Sequence, residues 1–163
     1  CFPVFSAAGK EMMFLERLEI FILADQLKTV PPKIILRIAD TFGNRNFFRR
    51  LEAIILHLDP ATCDLKTLAS ICRKYCLITA IFYVYLNGVD EWVMPLDDLL
   101  SVMMDKSFAT AERRKYFVIL GWKLLQYLQT IFKGESFPGG FKLPFTKLQS
   151  LIQVIFFSFK LLS

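Results

Sequence analysis

DLKTLASICRKYCLITAIFYVYLNG, Asp64 to Gly88, is the stretch on which the fold class turns. Asp64 stands where a carboxylate can accept the free N–H groups of a first helical turn. Behind it Leu65, Leu68, Ala69, Cys72, Tyr75 and Cys76 recur at the three-and-four spacing of one helical face, while Lys66, Thr67, Ser70, Arg73 and Lys74 take the other. The run from Leu77 to Leu86 is apolar nearly all round, the composition of a helix buried on several sides, and Asn87-Gly88 closes it. A one-faced helix joined by a short break to an all-round apolar one describes adjacent antiparallel helices.

The same grammar extends both ways along the chain. Upstream, a helix from about Lys10 to Lys28 carries Phe14, Leu15, Leu18, Phe21 and Ile22 on a broad apolar face, and Pro31-Pro32 ends it and pre-sets a shorter helix from Lys33 to Phe42. After Gly43-Asn44, Phe47, Leu51, Ile54, Ile55 and Leu58 form a third helix that Asp59-Pro60 stops. Downstream, a sixth helix is expected from Pro95 to about Asp105, a seventh from about Thr110 to Lys133, and an eighth from near Thr146. KGESFPGGFKLP, Lys133 to Pro144, is the long break between the last two. No segment alternates polar and apolar residues between turn signals, so strands are not expected. The fold class is therefore all-α, an α-solenoid (α-α superhelix) of antiparallel helix pairs, and residues 1–163 read as one such segment. A start at Cys1 and a stop inside an apolar run suggest a fragment of a longer protein.

Composition removes several function classes. With 55% hydrophobic and 21% charged residues the chain departs from the composition of disordered proteins. Mean hydropathy of +0.44 raises the question of a membrane span, but no run reaches the roughly 18 apolar residues one needs, so integral insertion is not expected. Cys1, Cys63, Cys72 and Cys76 lack the paired spacings of a disulfide framework. The net charge of +5 comes from scattered basic residues, among them Arg37, Arg45, Arg49, Arg50, Arg73, Lys74, Arg113, Arg114 and Lys115. They sit on the outer faces of amphipathic helices without a nucleic-acid motif, so nucleic acid is not expected as a partner.

Candidate chemistry is sparse. His57 is the only histidine, with Cys63 six residues on as a conceivable nucleophile, and a surface or cap-proximal role fits it better. Cys72 and Cys76, with Cys63 and His57, could be assembled on paper into a metal site, but the two cysteines lie in an apolar stripe and are expected as buried thiols without metal. Asp90-Glu91 and Asp97-Asp98 are explained by placement near helix starts, where the dipole favours carboxylates. Gly139-Gly140 lacks the Lys-Ser or Lys-Thr of a phosphate loop. No catalytic, cofactor or metal residue is assigned, and the chain is read as non-enzymatic.

Within Phe47 to Leu100 the order LE-x2-IL-x-LD, then C-x2-YC-LITAIFYVY, then D-x4-PL-x2-LL resembles the central helical region of the vacuolar protein sorting-associated protein 8 family, subunits of the CORVET endosomal tethering complex. The resemblance implies a scaffold built from an amino-terminal β-propeller, a long helical solenoid and a carboxy-terminal zinc-binding RING, of which this chain would be solenoid alone. It implies other tethering-complex subunits as partners, an early-endosomal Rab GTPase reached through the full-length protein, and a cytoplasmic location peripheral on endosomal membranes. A competing reading, a helical protein of the membrane surface, draws on net charge and aromatic content.

One surface stands out for partner binding. On the last helix Leu148, Leu151, Ile152, Ile155, Phe159 and Leu162 gather on one side, and Val154, Phe157 and Leu161 roughly 150° or more away. Two opposed apolar faces imply burial on both, which makes Val154, Phe157 and Leu161 the candidate partner-binding residues.

Overall fold

The computed structural model describes the backbone of residues 7–90, 94–96, 100, 111–138 and 140–162, and the side chains of these except 7, 8, 111–117, 158, 159, 161 and 162. Among them lie seven named helices: α1 (Ala7–Leu23), α2 (Pro32–Asn44), α3 (Phe48–His57), α4 (Leu65–Lys74), α5 (Ile78–Gly88), α6 (Ala111–Phe132) and α7 (Phe145–Leu162). The only β-type pairing among them is an isolated bridge between Glu135 and Lys142. The helix expected from Pro95 to Asp105 falls largely outside the described residues, with helical backbone at 94–96 and 100.

The chain divides into two compact units, Cys1–Gly88 and Val89–Ser163. In the first, α1 packs on α3, α2 on α4 and α3 on α5, while α2–α3 and α4–α5 are chain neighbours in contact. Contact at every second helix places α1, α3 and α5 in one layer and α2 and α4 in another. This is the arrangement of stacked helix pairs.

Polar links follow the same rule. Arg50 of α3 grips Glu19 of α1 through Nε at 2.9 Å and through a second, shorter bond. Lys74 Nζ of α4 reaches Asp40 of α2 at 3.0 Å. Glu52 of α3 accepts the N–H groups of Thr79 and Ala80 at 3.0 and 3.3 Å, so that α3 caps the start of α5. The turns stack as well: Asp59 N–H donates to the Lys28 carbonyl at 2.8 Å, and the Thr29 and Thr62 hydroxyls lie 2.7 Å apart.

Helix ends repeat one device. After α1, α2 and α4 the chain turns through Asp25, Asn46 and Cys76 at φ of 57°, 60° and 55°. Each turn closes a six-to-one bond, Gln26 to Phe21, Phe47 to Phe42 and Leu77 to Cys72, the Schellman pattern. At α2 the apolar contact that accompanies this motif is the Phe42–Phe47 pair, with centroids 6.2 Å apart and edge to face. Glycine serves the same turn after α6, where Gly134 has φ 75°.

Several expected boundaries move. α1 stops at Leu23 rather than Lys28 because the left-handed turn at Asp25 intervenes. Its buried line is Met12, Leu15, Glu19 and Ile22, whereas Phe14 and Phe21, expected inside, are exposed. α2 continues through Gly43 to Asn44. Gly43 is a contact rather than a break: a Cβ there would lie 2.2 Å from the Tyr75 ring, so the residue lets α4's end approach α2's backbone.

In the second unit α6 packs on α7. Leu120, Leu124, Tyr127 and Ile131 of α6 and Leu151 and Ile155 of α7 are buried, and Phe137 closes on Tyr127 edge to face with centroids 6.0 Å apart. The loop between them is ordered by Ser136, whose N–H donates to the Phe141 carbonyl at 2.6 Å and whose Oγ accepts the Phe141 N–H at 3.0 Å.

Candidate functional site

The stacked turns of the first unit frame a cleft of about 310 Å³ lined by Asp25, Lys28, His57, Asp59, Tyr83 and Asn87, with Leu56, Leu58 and Pro60. His57, at the end of α3, is half-buried with Nδ1 3.2 Å from Asp25 Oδ1, a carboxylate that the turn after α1 brings from 32 residues away. Tyr83 of α5 donates its hydroxyl to the Leu58 carbonyl at 2.9 Å. Burial, and then the negative charges of Asp59 and Asp25, push that phenol above its ordinary range. The histidine that looked isolated in the sequence therefore has company.

That company is a polar joint at which the turns after α1 and α3 meet α5. The cleft lining contains no serine, threonine or cysteine. The conceivable nucleophile, Cys63, has its thiol 3.8 Å from the Lys28 carbonyl. Nucleophilic catalysis needs the base and nucleophile within hydrogen-bond reach of each other, and the observed partners hold His57 and Cys63 to different groups.

The paired cysteines separate. Cys72 is buried, and burial first, with the Glu52 charge second, raises its thiol to about 12. Cys76, expected buried beside it, is exposed because the helix ends at Lys74 and Cys76 occupies the left-handed turn. Among the described residues no group of three or more His, Cys, Asp or Glu side chains is placed to hold a metal ion. Asp90, four residues before the helical backbone at 94–96, has φ 56° and pairs with Lys147 of α7. Glu91, Asp97, Asp98 and Gly139 lie outside the described residues.

Four of the described basic residues are engaged by polar partners. Arg37 pairs with Glu11, Arg50 with Glu19 and Glu16, and Lys74 with Asp40, while Arg73 bonds the Tyr85 hydroxyl. Arg45 and Arg49 are exposed, and the side chains of Arg113, Arg114 and Lys115 are outside the described set.

Large apolar side chains at the surface are the more distinctive feature. On α1, Met13, Phe14, Ile20 and Phe21 are exposed. On α6, Val118, Trp122, Leu125 and Phe132 share one outward stripe at heptad spacing with Gln129. On α7, Leu151 and Ile155 are core as expected, Val154 is half-buried and Phe157 is exposed; the side chain of Leu161 lies outside the described residues. Sequence reasoning did not single out Phe156 or the outward stripe of α6. A second apolar face opposite the buried one was the signal that could have found the latter.

A stack of antiparallel helix pairs with contacts at every second helix, exposed apolar faces and no assembled reaction centre among the described residues defines a helical-repeat protein of the α-solenoid class. The model of the family described as Vps8 central TPR matches residues 13–160. Curated relatives agree. The chain is 30% identical over 128 residues to the vacuolar protein sorting-associated protein 8 homologs of Mus musculus and Homo sapiens, covering 78% of this chain and 9% of theirs. It is 21% identical over 95 residues to vacuolar protein sorting-associated protein 8 of Saccharomyces cerevisiae, covering 58% of this chain and 8% of the yeast protein. The chain belongs to the Vps8 family and corresponds to its central TPR region. It spans about a tenth of the length of the curated relatives it matches. No solved structure matches it. Among the described residues no helix is long and apolar enough to cross a membrane.

Proposed function

We propose that this chain is a non-enzymatic scaffold segment of an endosomal tethering-complex subunit that acts in sorting to the endosome and vacuole by holding other subunits of its complex. The observation that carries the reading is the coincidence of family and architecture: a Vps8 central TPR match over nearly the whole chain, and helices of the first unit layered so that every second one is in contact. Solenoids of this kind bind through extended side-chain surfaces rather than through a deep pocket, which accords with large apolar residues left at the surface.

The proposal includes residues 1–163 working as one solenoid segment, with the α7 face of Val154, Phe157 and Leu161 contacting a neighbouring subunit. A cytoplasmic location, peripheral on endosomal membranes, and an early-endosomal Rab GTPase engaged through the full-length protein complete it. The test is co-purification of the full-length protein from cells with Val154, Phe157 and Leu161 changed together to aspartate. The expected result is loss of at least one complex subunit at normal protein abundance, with His57→Ala retaining the full set. An unaltered set of subunits in the triple variant, or a defined turnover abolished by His57→Ala, contradicts the proposal.

A further inference from the structure

The most exposed large apolar side chains of the described structure are Phe141 and Phe145, at 76% and 77%, and both lie at the loop that opens α7. The loop does not leave them on a slack tether. Ser136 bonds Phe141 at both the carbonyl and the N–H, Gly140 N–H donates to the Ser136 carbonyl at 2.7 Å, and Leu143 N–H donates to the Gly134 carbonyl at 2.8 Å. Below the loop Phe137 is buried against Tyr127. An aromatic pair presented on a pre-ordered loop loses little conformational freedom when it inserts into something.

Charge says into what. From Ser136 to Lys160 the sequence contains no acidic residue; Lys142 lies between the two phenylalanines with its side chain exposed, across an isolated bridge from the half-buried Glu135, the one carboxylate of the loop. Lys133, at the other end of the loop, is also exposed, while Lys147 is paired with Asp90. The helix continues the surface: at about 100° per residue, Ile152 and Phe156 fall within about 20° of the line through Phe145. Phe156 is 66% exposed. Phe157 and Val154 point to a different side by the same rotation, so this surface is separate from the proposed subunit contact.

We infer that the Ser136–Phe145 loop and the Phe145–Phe156 side of α7 form a docking surface for an anionic lipid bilayer, with Phe141 and Phe145 seated at headgroup depth and Lys133 and Lys142 facing the lipid charge. Phenylalanine on the apolar face of an interfacial element inserts to the headgroup–acyl boundary, and a negatively charged leaflet attracts lysines beside the surface. A basic, aromatic helix face without carboxylates is what lies in such an interface. The inference is independent of the scaffold reading, and its test contains no protein partner.

The test is flotation of the 163-residue chain with phosphatidylcholine vesicles, with and without phosphatidylserine, compared with Phe141→Ser/Phe145→Ser and Lys133→Glu/Lys142→Glu. All four residues are exposed, and thermal melts of each variant verify the fold. The expected result is flotation that depends on phosphatidylserine and weakens by about tenfold or more in each double variant. Three results overturn the inference: a chain that stays at the bottom of the gradient with anionic vesicles, double-serine flotation equal to the parent, or no vesicle effect together with conversion of a self-associated chain to monomer, which would make the surface a contact between copies.

Discussion

Arg50 shows how much of this fold rests on single side chains that the sequence presents as ordinary surface charge. It bonds Glu19, which is 6% exposed, and its guanidinium lies 4.8 Å from the Phe42 ring centroid and 5.2 Å from that of Phe47. Removing it leaves a carboxylate buried without its counter-charge, an effect of roughly 3–5 kcal/mol in full burial. With Arg50's own side chain 38% exposed, Arg50→Ala is expected to lower urea-unfolding stability by about 1–3 kcal/mol, and an unchanged midpoint contradicts that role. Cys72 supports a pH prediction. Its ordinary thiol value of 9.0 is raised to about 12 by burial, so the unfolded chain ionises first as pH rises. The associated stability is complete below about pH 9 and declines towards pH 12. A thiol reagent at neutral pH should label Cys76 quickly and Cys72 only on unfolding, and equal labelling rates would contradict its burial. None of this could be seen locally: Glu19 and Arg50 are 31 residues apart, and Asp25 and His57 are 32.

At the scale of elements, the helices around Asp64 were legible because their signals are local. Asp64 Oδ2 accepts the Thr67 N–H at 3.3 Å, as its position before the apolar stripe implied, and Leu68, Ala69 and Cys72 face inward. Asp64→Ala is expected to reduce thermal stability by about 1 kcal/mol, the ordinary magnitude of an N-cap. What was not legible is where tertiary contact overrides punctuation. Gly43 reads as a stop and is an approach point for Tyr75; Cys76 reads as helix and is a left-handed turn. Phe14 and Phe21 read as core because hydrophobicity alone was counted, whereas Glu19 is drawn inward by Arg50 and fixes α1's rotation about its axis. α6 offers a complementary check. A Cβ at Gly121 meets nothing within 4 Å, so Gly121→Ala should raise stability by about 0.5–1 kcal/mol through helix propensity alone. Gly134→Ala, at φ 75°, should lower it.

For the molecule as a whole, the sequence reading and the family agree on an α-solenoid, and the first unit adds the physical reason: links between every second helix, made by both apolar cores and buried or half-buried polar pairs. The family match runs from residue 13 to residue 160, well beyond the Phe47–Leu100 pattern that first carried the resemblance. The flanks escaped because their apolar residues keep helical periodicity without a distinctive order, which degenerate repeats commonly do. Exposed apolar faces on α1, α6 and α7 are the part whose meaning depends on partners, and sequence periodicity alone cannot rank them. The claim underlying every functional statement is that α1, α3 and α5 are stacked in order rather than wrapped about a common core. Spin labels placed one at a time in pairs on exposed sites of those helices, in a chain without competing thiols, test it by pulsed electron resonance. Packed helices lie about 8–10 Å apart, so the stack predicts an α1–α5 distance approaching twice the α1–α3 and α3–α5 distances. Three equal distances would show a closed bundle and contradict the solenoid.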